Sequence, residues 1–173
     1  MIRFKTPNQS SRGGEKVKLI VIHGDAGHTD KGTISWIMAD ESDVSYHYLI
    51  GRDGKVYWFV DESLCAWHAG VSKWPGCTVE KPGRKPTVNP TSIGVAFAND
   101  GEEPYKDEQY VAGAKLVSAL CKQYGIKRDN VVGHNQVSPG RKTDPWAHFD
   151  WKRFHKLLDR PPQAEPQADG DPG

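Results

Sequence analysis

A single mixed α/β domain, with a central mixed β-sheet flanked by helices, is the fold class that this 173-residue sequence predicts. Three observations carry it. Short apolar runs rich in β-branched residues, at Leu19-Ile20-Val21-Ile22, Ser92 to Phe97 and Val131-Val132-Gly133, read as buried strands. Between the second and third lies a helical stripe of Tyr110, Val111, Ala114, Val117, Leu120 and Cys121, closed by Gly125. Asp53-Gly54 between two aromatic or β-branched runs marks a hairpin, so part of the sheet is antiparallel. The length suits one well-buried domain and is short for two.

Taken in order, residues 1–16 are polar and rich in Gly and Ser, and read as an N-terminal arm ahead of a domain over 17–160. Lys18 to His23 is the first strand. Ile34, Trp36, Ile37 and Met38 after Gly32-Thr33 suggest a brief helix ending before Asp43. Val44 to Ile50 and Lys55 to Val60 flank Gly51-Arg52-Asp53-Gly54 as the two arms of the hairpin. Residues 72–91 form a loop loaded with Pro, Gly and Lys, long enough to be a candidate substrate-facing segment. Lys106 to Tyr124 is a helix. Phe149, Trp151, Phe154, Leu157 and Leu158 mark a last one, with Asp150 near its start. Residues 161–173 are dominated by Pro, Gly and polar residues and are expected to be a disordered tail.

Composition excludes several classes. The 23 basic and 22 acidic residues leave a net charge of +1 and no basic run, so no nucleic-acid partner is expected. No segment approaches the roughly 18 apolar residues a membrane span requires. The N-terminus lacks a long apolar core, which predicts synthesis in the cytoplasm without Sec export. Three cysteines without a CxxC pair imply no disulfide framework. Cys65 and His68 share a Cys-x-x-His spacing but lack the second pair of a closed metal site.

The chemistry concentrates in two segments. Val21-Ile22-His23-Gly24 and Gly133-His134-Asn135 each place a histidine at the end of an apolar strand, where a sheet opens into a cleft. Lys142-Thr143-Asp144-Pro145 follows the second. A lone strand-end histidine is ordinarily a satisfied structural residue. Two of them with a nearby carboxylate supply the three ligands of a catalytic zinc site with an open fourth position.

These pieces resemble the zinc-dependent N-acetylmuramoyl-L-alanine amidases (amidase type 2). That group contains phage lysozyme-amidases and AmpD-type recycling amidases and is related to peptidoglycan-recognition proteins. The resemblance runs from about Leu19 to Leu158 through seven fragments in order: Val-Ile-His at 21–23, Val-Ser-Tyr-His-Tyr at 44–48, Arg-Asp-Gly at 52–54, Ala-Trp-His-Ala-Gly at 66–70, Ser-Ile-Gly-Val at 92–95, Val-Gly-His at 132–134 and Arg-Lys-Thr-Asp-Pro at 141–145. It implies the peptidoglycan-recognition/amidase type 2 fold and one Zn²⁺ per chain held by His23, His134 and Asp144. Lys142 would stabilise the oxyanion, and Tyr46 matches the tyrosine that phage-type members place beside the zinc, though a strand aromatic is equally a core candidate. His68 resembles a substrate-groove position, and Trp67 and Trp74 would line the same groove. His47 points opposite to Tyr46 in a regular strand and reads as packing. Recycling amidases carry a glutamate base just after Ser-Ile-Gly-Ile, where this chain has Ala96.

The resemblance therefore implies hydrolysis of the lactyl–L-Ala amide of peptidoglycan, with the muramoyl stem peptide as the ligand and a monomer expected. Tyr46, Ala96 and the single domain lean toward a phage or prophage endolysin that reaches the wall through a partner-made membrane hole. The alternatives are a cytoplasmic anhydro-muropeptide recycling amidase and a non-catalytic recognition module. Some phage lysozymes of this kind also bind a phage RNA polymerase, and nothing in the sequence identifies such a surface.

Overall fold

Alternation along the run Leu19 to His23 decides which side of the molecule carries the chemistry. Ile20 and Ile22 point into one hydrophobic layer, and Leu19 and Val21 into another on the opposite face. His23 continues the second set. The structure is a computed structural model that describes residues 1–160; the tail expected over 161–173 lies outside the described residues.

Eight strands are formed: β1 (Ile2–Arg3), β2 (Gln9–Ser11), β3 (Leu19–Gly24), β4 (Tyr48–Ile50), β5 (Val56–Trp58), β6 (Leu64–Ala66), β7 (Ser92–Phe97) and β8 (Val131–Gly133). Six of them make a sheet in the order β1-β5-β4-β7-β3-β8, and β2 pairs with β6 in a separate two-stranded sheet. The sheet is mixed: β4 and β5 are antiparallel, while β4-β7, β7-β3 and β3-β8 are parallel. The hairpin closes as the Asp-Gly signal requires, with the Gly51 N–H donating to the Lys55 carbonyl at 2.8 Å.

Among the described residues the α-helices are α1 (Asp30–Met38), α2 (Asp107–Tyr124), α3 (His134–Val137) and α4 (Trp151–Leu158). The stripe of α2 packs Tyr110, Ala114, Val117 and Leu120 onto Ile20, Ile22, Ile93, Val95 and Phe97. Gly125 ends the helix at φ +65°, a left-handed cap that glycine adopts without steric cost. Asp150 caps α4 by accepting from the Arg153 N–H at 2.9 Å. Phe97 anchors this layer edge-on to Phe149 and Phe154, and its loss would cost about 3–5 kcal/mol.

Three local expectations change. Residues 1–16 do not form a free arm: β1 and β2 join the two sheets, and Thr6, Asn8 and Arg12 are buried. Their polar groups are satisfied by fixed carbonyls, with Thr6 Oγ1 donating to Ile37 O and Asn8 Nδ2 to Ala39 O at 2.8 Å. The strand expected from Val44 begins only at Tyr48. Asp43 turns the chain at φ +51°, and the Ser45 and His47 N–H groups go to Trp67 O and Gly94 O. The 72–91 loop packs Cys77 and Val88 against Leu19, Val21 and Val132, so its inner side is core.

Candidate metal centre

Register brings the two strand-end histidines together. Ile22 pairs with Gly133 across β3 and β8, so the next residues, His23 and His134, stand side by side where both parallel strands end. Their ring centroids are 4.4 Å apart. Asp144 returns to them because the Asn135 N–H, in the first turn of α3, donates to its backbone carbonyl at 2.9 Å. The Lys142 N–H is likewise fixed on Ser138 O at 3.0 Å.

The three side chains meet through one atom each. His23 Nδ1 lies 3.0 Å from His134 Nδ1, and Asp144 Oδ2 lies 3.3 Å from the first and 3.2 Å from the second. Zinc held tetrahedrally by arms of about 2.0–2.1 Å needs donors about 3.3 Å apart. The triangle matches that spacing, and the three residues are the one group of His, Cys, Asp or Glu found among the described residues with the closeness a metal ion requires. Protonation states fit as well. Burial first, then the neighbouring His134, pushes the His23 pKa down to about 4, so its imidazole is neutral at pH 7. Burial alone would raise the Asp144 carboxyl, yet the adjoining His134 and His23 imidazoles hold it well below the usual carboxylate range. Both ligands stand in the deprotonated form that binds metal.

Tyr46 is buried beside this triangle, its ring 5.1 Å from that of His23. Burial, with the charges of Asp144 and Asp25, pushes its phenol far above 10, so it keeps its proton and can only donate. Ala96 is fully buried, pairs with His23 across β7 and β3, and shares a cluster with Tyr46. A methyl group therefore occupies the position beside His23 where a glutamate base was the family alternative. Lys142 is exposed, and its positive charge is felt at His23.

Of the three groove residues expected from the resemblance, His68 lies in the interior. His68 is buried behind the triangle: its Nδ1 meets His23 Nε2 at 2.9 Å and its Nε2 meets Ser92 Oγ at 3.0 Å. A side chain with both nitrogens engaged in the interior does not line a groove. Trp67 donates its indole N–H to Ser10 Oγ at 3.1 Å, and Trp74 donates to Asn130 Oδ1 at 3.1 Å while packing on the Leu19 and Val21 layer. Both indole N–H groups are thus satisfied within the protein's own frame.

Two interior residues escaped sequence reasoning or were only half read. His47 accepts from the Gly94 N–H through Nδ1 at 3.0 Å and reaches Leu64 O through Nε2 at 3.1 Å. Arg12 spans Glu62 O, Pro90 O and Ser92 O at 2.7–3.0 Å, with its guanidinium against His47. It looked like one more polar residue of an arm, and no local pattern marks it. A roomy concavity of about 980 Å³ lined by Arg3, Tyr48, Trp58, Glu62 and Tyr124 holds none of the triangle. One of its carboxylates, Glu62, is already taken by Tyr48, Tyr124 and Gln123.

Comparison with known proteins places this geometry in context. The family model described as N-acetylmuramoyl-L-alanine amidase matches residues 13–147. The 1,6-anhydro-N-acetylmuramyl-L-alanine amidase AmpD of Enterobacter cloacae is 39% identical over 110 residues, 64% of this chain and 54% of the relative. The chain thus spans little more than half the length of that curated relative. Among solved structures, a crystal structure of a selenomethionine AmpD derivative superposes with a TM-score of 0.78 at 30% identity, covering 91% of this chain and 93% of that one. Escherichia coli AmiD in complex with the substrate anhydro-N-acetylmuramic acid-L-Ala-D-gamma-Glu-L-Lys superposes with a TM-score of 0.71 at 28% identity, covering 86% and 58%.

Proposed function

Because the chain belongs to the N-acetylmuramoyl-L-alanine amidase family, we propose that it is a zinc-dependent hydrolase that cleaves the lactyl–L-Ala amide of soluble 1,6-anhydro-muropeptides. The observation that carries the reading is the donor triangle of His23, His134 and Asp144 in a chain of this family. The names and contents of the similar proteins supply the substrate class: an anhydro-muramyl amidase at 39% identity and an amidase seen with an anhydro-muropeptide. They support this reading over the wall-lysing endolysin that the sequence favoured.

When bound, Zn²⁺ supplies a Lewis acid that polarises the amide carbonyl and acidifies water. His23 and His134 would hold it through their Nδ1 atoms, and Asp144 would contribute the one negative charge. The protonated Tyr46 phenol donates toward the oxygen of the reacting carbonyl, and the Lys142 ammonium stabilises the negative charge that develops there. Neither group is a base, so these two residues serve the oxyanion rather than the proton removed from water. The protein acts as a monomer on a small ligand, and no described helix is long and apolar enough to cross a membrane.

One observation keeps the endolysin as a second reading. Tyr46 and Ala96 reproduce the phage-type pairing and leave no glutamate beside His23. That reading carries with it release to the wall through a partner-made membrane hole. The deciding experiment measures peptide release from soluble anhydro-muropeptide and from intact Gram-negative sacculi, with and without chelator. Zinc-dependent release chiefly from the soluble substrate supports the proposal. Release chiefly from sacculi gives the endolysin, and bound zinc with no release from either gives a recognition module.

A further inference from the structure

Both ligand imidazoles turn their far nitrogens toward one short segment. His134 Nε2 lies 3.1 Å from the carbonyl of Ala69, and His23 Nε2 lies 2.9 Å from Nδ1 of His68. Ala69 O is an acceptor only and lies nearer to Nε2 than the Arg141 guanidinium at 3.4 Å, so with Nδ1 given to a metal beside Asp144, His134 carries its proton on Nε2. The His23 contact is ambiguous by itself, because either imidazole could donate. The next atoms along resolve it. His68 Nε2 lies 3.0 Å from Ser92 Oγ, and Ser92 Oγ lies 2.8 Å from Val88 O. A carbonyl takes a proton and gives none, so the serine hydrogen points to Val88 and the serine oxygen accepts from His68 Nε2–H. That leaves His68 Nδ1 bare, able only to accept from His23 Nε2–H.

From this chain we propose that His68 is a positioning residue, anchored by Ser92, that locks His23 in the Nε2–H tautomer whose Nδ1 lone pair faces the metal. The inference rests on the metal-centre reading above and extends it to residues that touch neither metal nor substrate. Two neighbours support the arrangement. The Asn89 side chain pins the Ala69 N–H at 2.8 Å, which holds the Ala69 carbonyl under His134. Gly94 makes room for the His68 ring, since a Cβ there would stand 2.5 Å from His68 Cγ. Metal-bound histidines ordinarily give their second N–H to a carboxylate, a carbonyl or water. A neutral imidazole in that place orients the ligand without adding negative charge behind it.

The test compares His68→Asn, whose side-chain oxygen can accept from His23, with His68→Leu, which fills space but cannot. Zinc affinity is measured by competition with a chromogenic chelator, and the His23 tautomer by nitrogen-detected imidazole NMR of the zinc-free protein. His68→Leu is expected to bind zinc 10–100-fold more weakly and to lose the single Nε2–H tautomer, while His68→Asn stays within about 3-fold of wild type. Wild-type affinity and tautomer in His68→Leu, or equal losses in both variants, overturn the proposal. If His68→Leu does not fold, Ser92→Ala takes its place. It removes only the anchor and is expected to give mixed tautomers at His68 and His23, whereas unchanged tautomers overturn the proposal. None of these readouts uses turnover, so they stand apart from whether the protein hydrolyses muropeptides.

Discussion

Replacing Gly94 by alanine adds one methyl group to the middle of β7 and should weaken metal binding without touching a ligand. The backbone at 94 does not lie in the left-handed region, so alanine meets no conformational strain and the whole effect is steric. The new Cβ would stand 2.5 Å from Cγ, 2.7 Å from Cδ2 and 2.9 Å from Nδ1 of His68, against an ordinary contact of 3.4 Å or more. The ring must give way by about 0.9 Å or tilt, which takes it out of the alignment of its 2.9 Å bond to His23 and its 3.0 Å bond to Ser92. Overpacking of this kind costs about 1–3 kcal/mol, a drop of about 2–12 °C in Tm for a chain of this size. Loss of the orienting bond weakens zinc binding about 10–100-fold. Chelator competition and thermal melting of the folded variant measure the two effects separately. A variant that melts lower yet binds zinc as tightly as wild type would refute the link between His68 and the metal centre.

Other perturbations read the remaining parts of the site. Asp144→Asn removes the negative ligand charge and should abolish zinc-dependent hydrolysis while circular dichroism stays native; substantial turnover in the variant would exclude Asp144 as a required ligand. Lys142→Met is expected to lower kcat about 10²–10³-fold with little change in zinc affinity, as removal of an oxyanion donor does. Tyr46→Phe should lower kcat in the same manner and leave the acid limb of the pH profile in place, because the phenol acts in its protonated form. Stability of the zinc-free protein should fall with pH. His47 titrates near 6.5 when unfolded, but burial, then Arg12, pushes it down to about 3 in the fold. Between those values the unfolded chain binds the extra proton, so the contribution is complete above about pH 6.5 and is lost toward pH 3, on the order of 5 kcal/mol in all. Urea midpoints that stay flat from pH 7.5 to 4 would contradict this.

How much was legible in advance depended on the range of the interaction. The strands ending in His23 and His134, the hairpin at Asp53-Gly54 and the helices over Asp107–Tyr124 and Trp151–Leu158 follow from local periodicity and capping. These signals act within a few residues, and burial of one face then fixes the alternation that aims His23 away from α2. The family resemblance named Asp144, and the structure shows the geometric reason: one backbone hydrogen bond from Asn135 folds the loop back onto the histidines.

Only the tertiary structure decided what the buried polar residues do. His68 reads in sequence as a groove histidine, but its partner His23 is 45 residues away, and neither periodicity nor composition can see that pairing. Arg12 reads as part of a polar arm, yet it joins carbonyls 50 to 80 residues along the chain and holds β2 and the 89–92 segment together. A buried donor or acceptor must be matched wherever the fold happens to supply a partner. The sequence by itself determined the central strands that end in His23 and His134, the hairpin and the two long helices, because those follow from neighbours along the chain. Parallel pairing of distant strands decided that His23 and His134 stand side by side, because that depends on residues brought together only when the sheet closes.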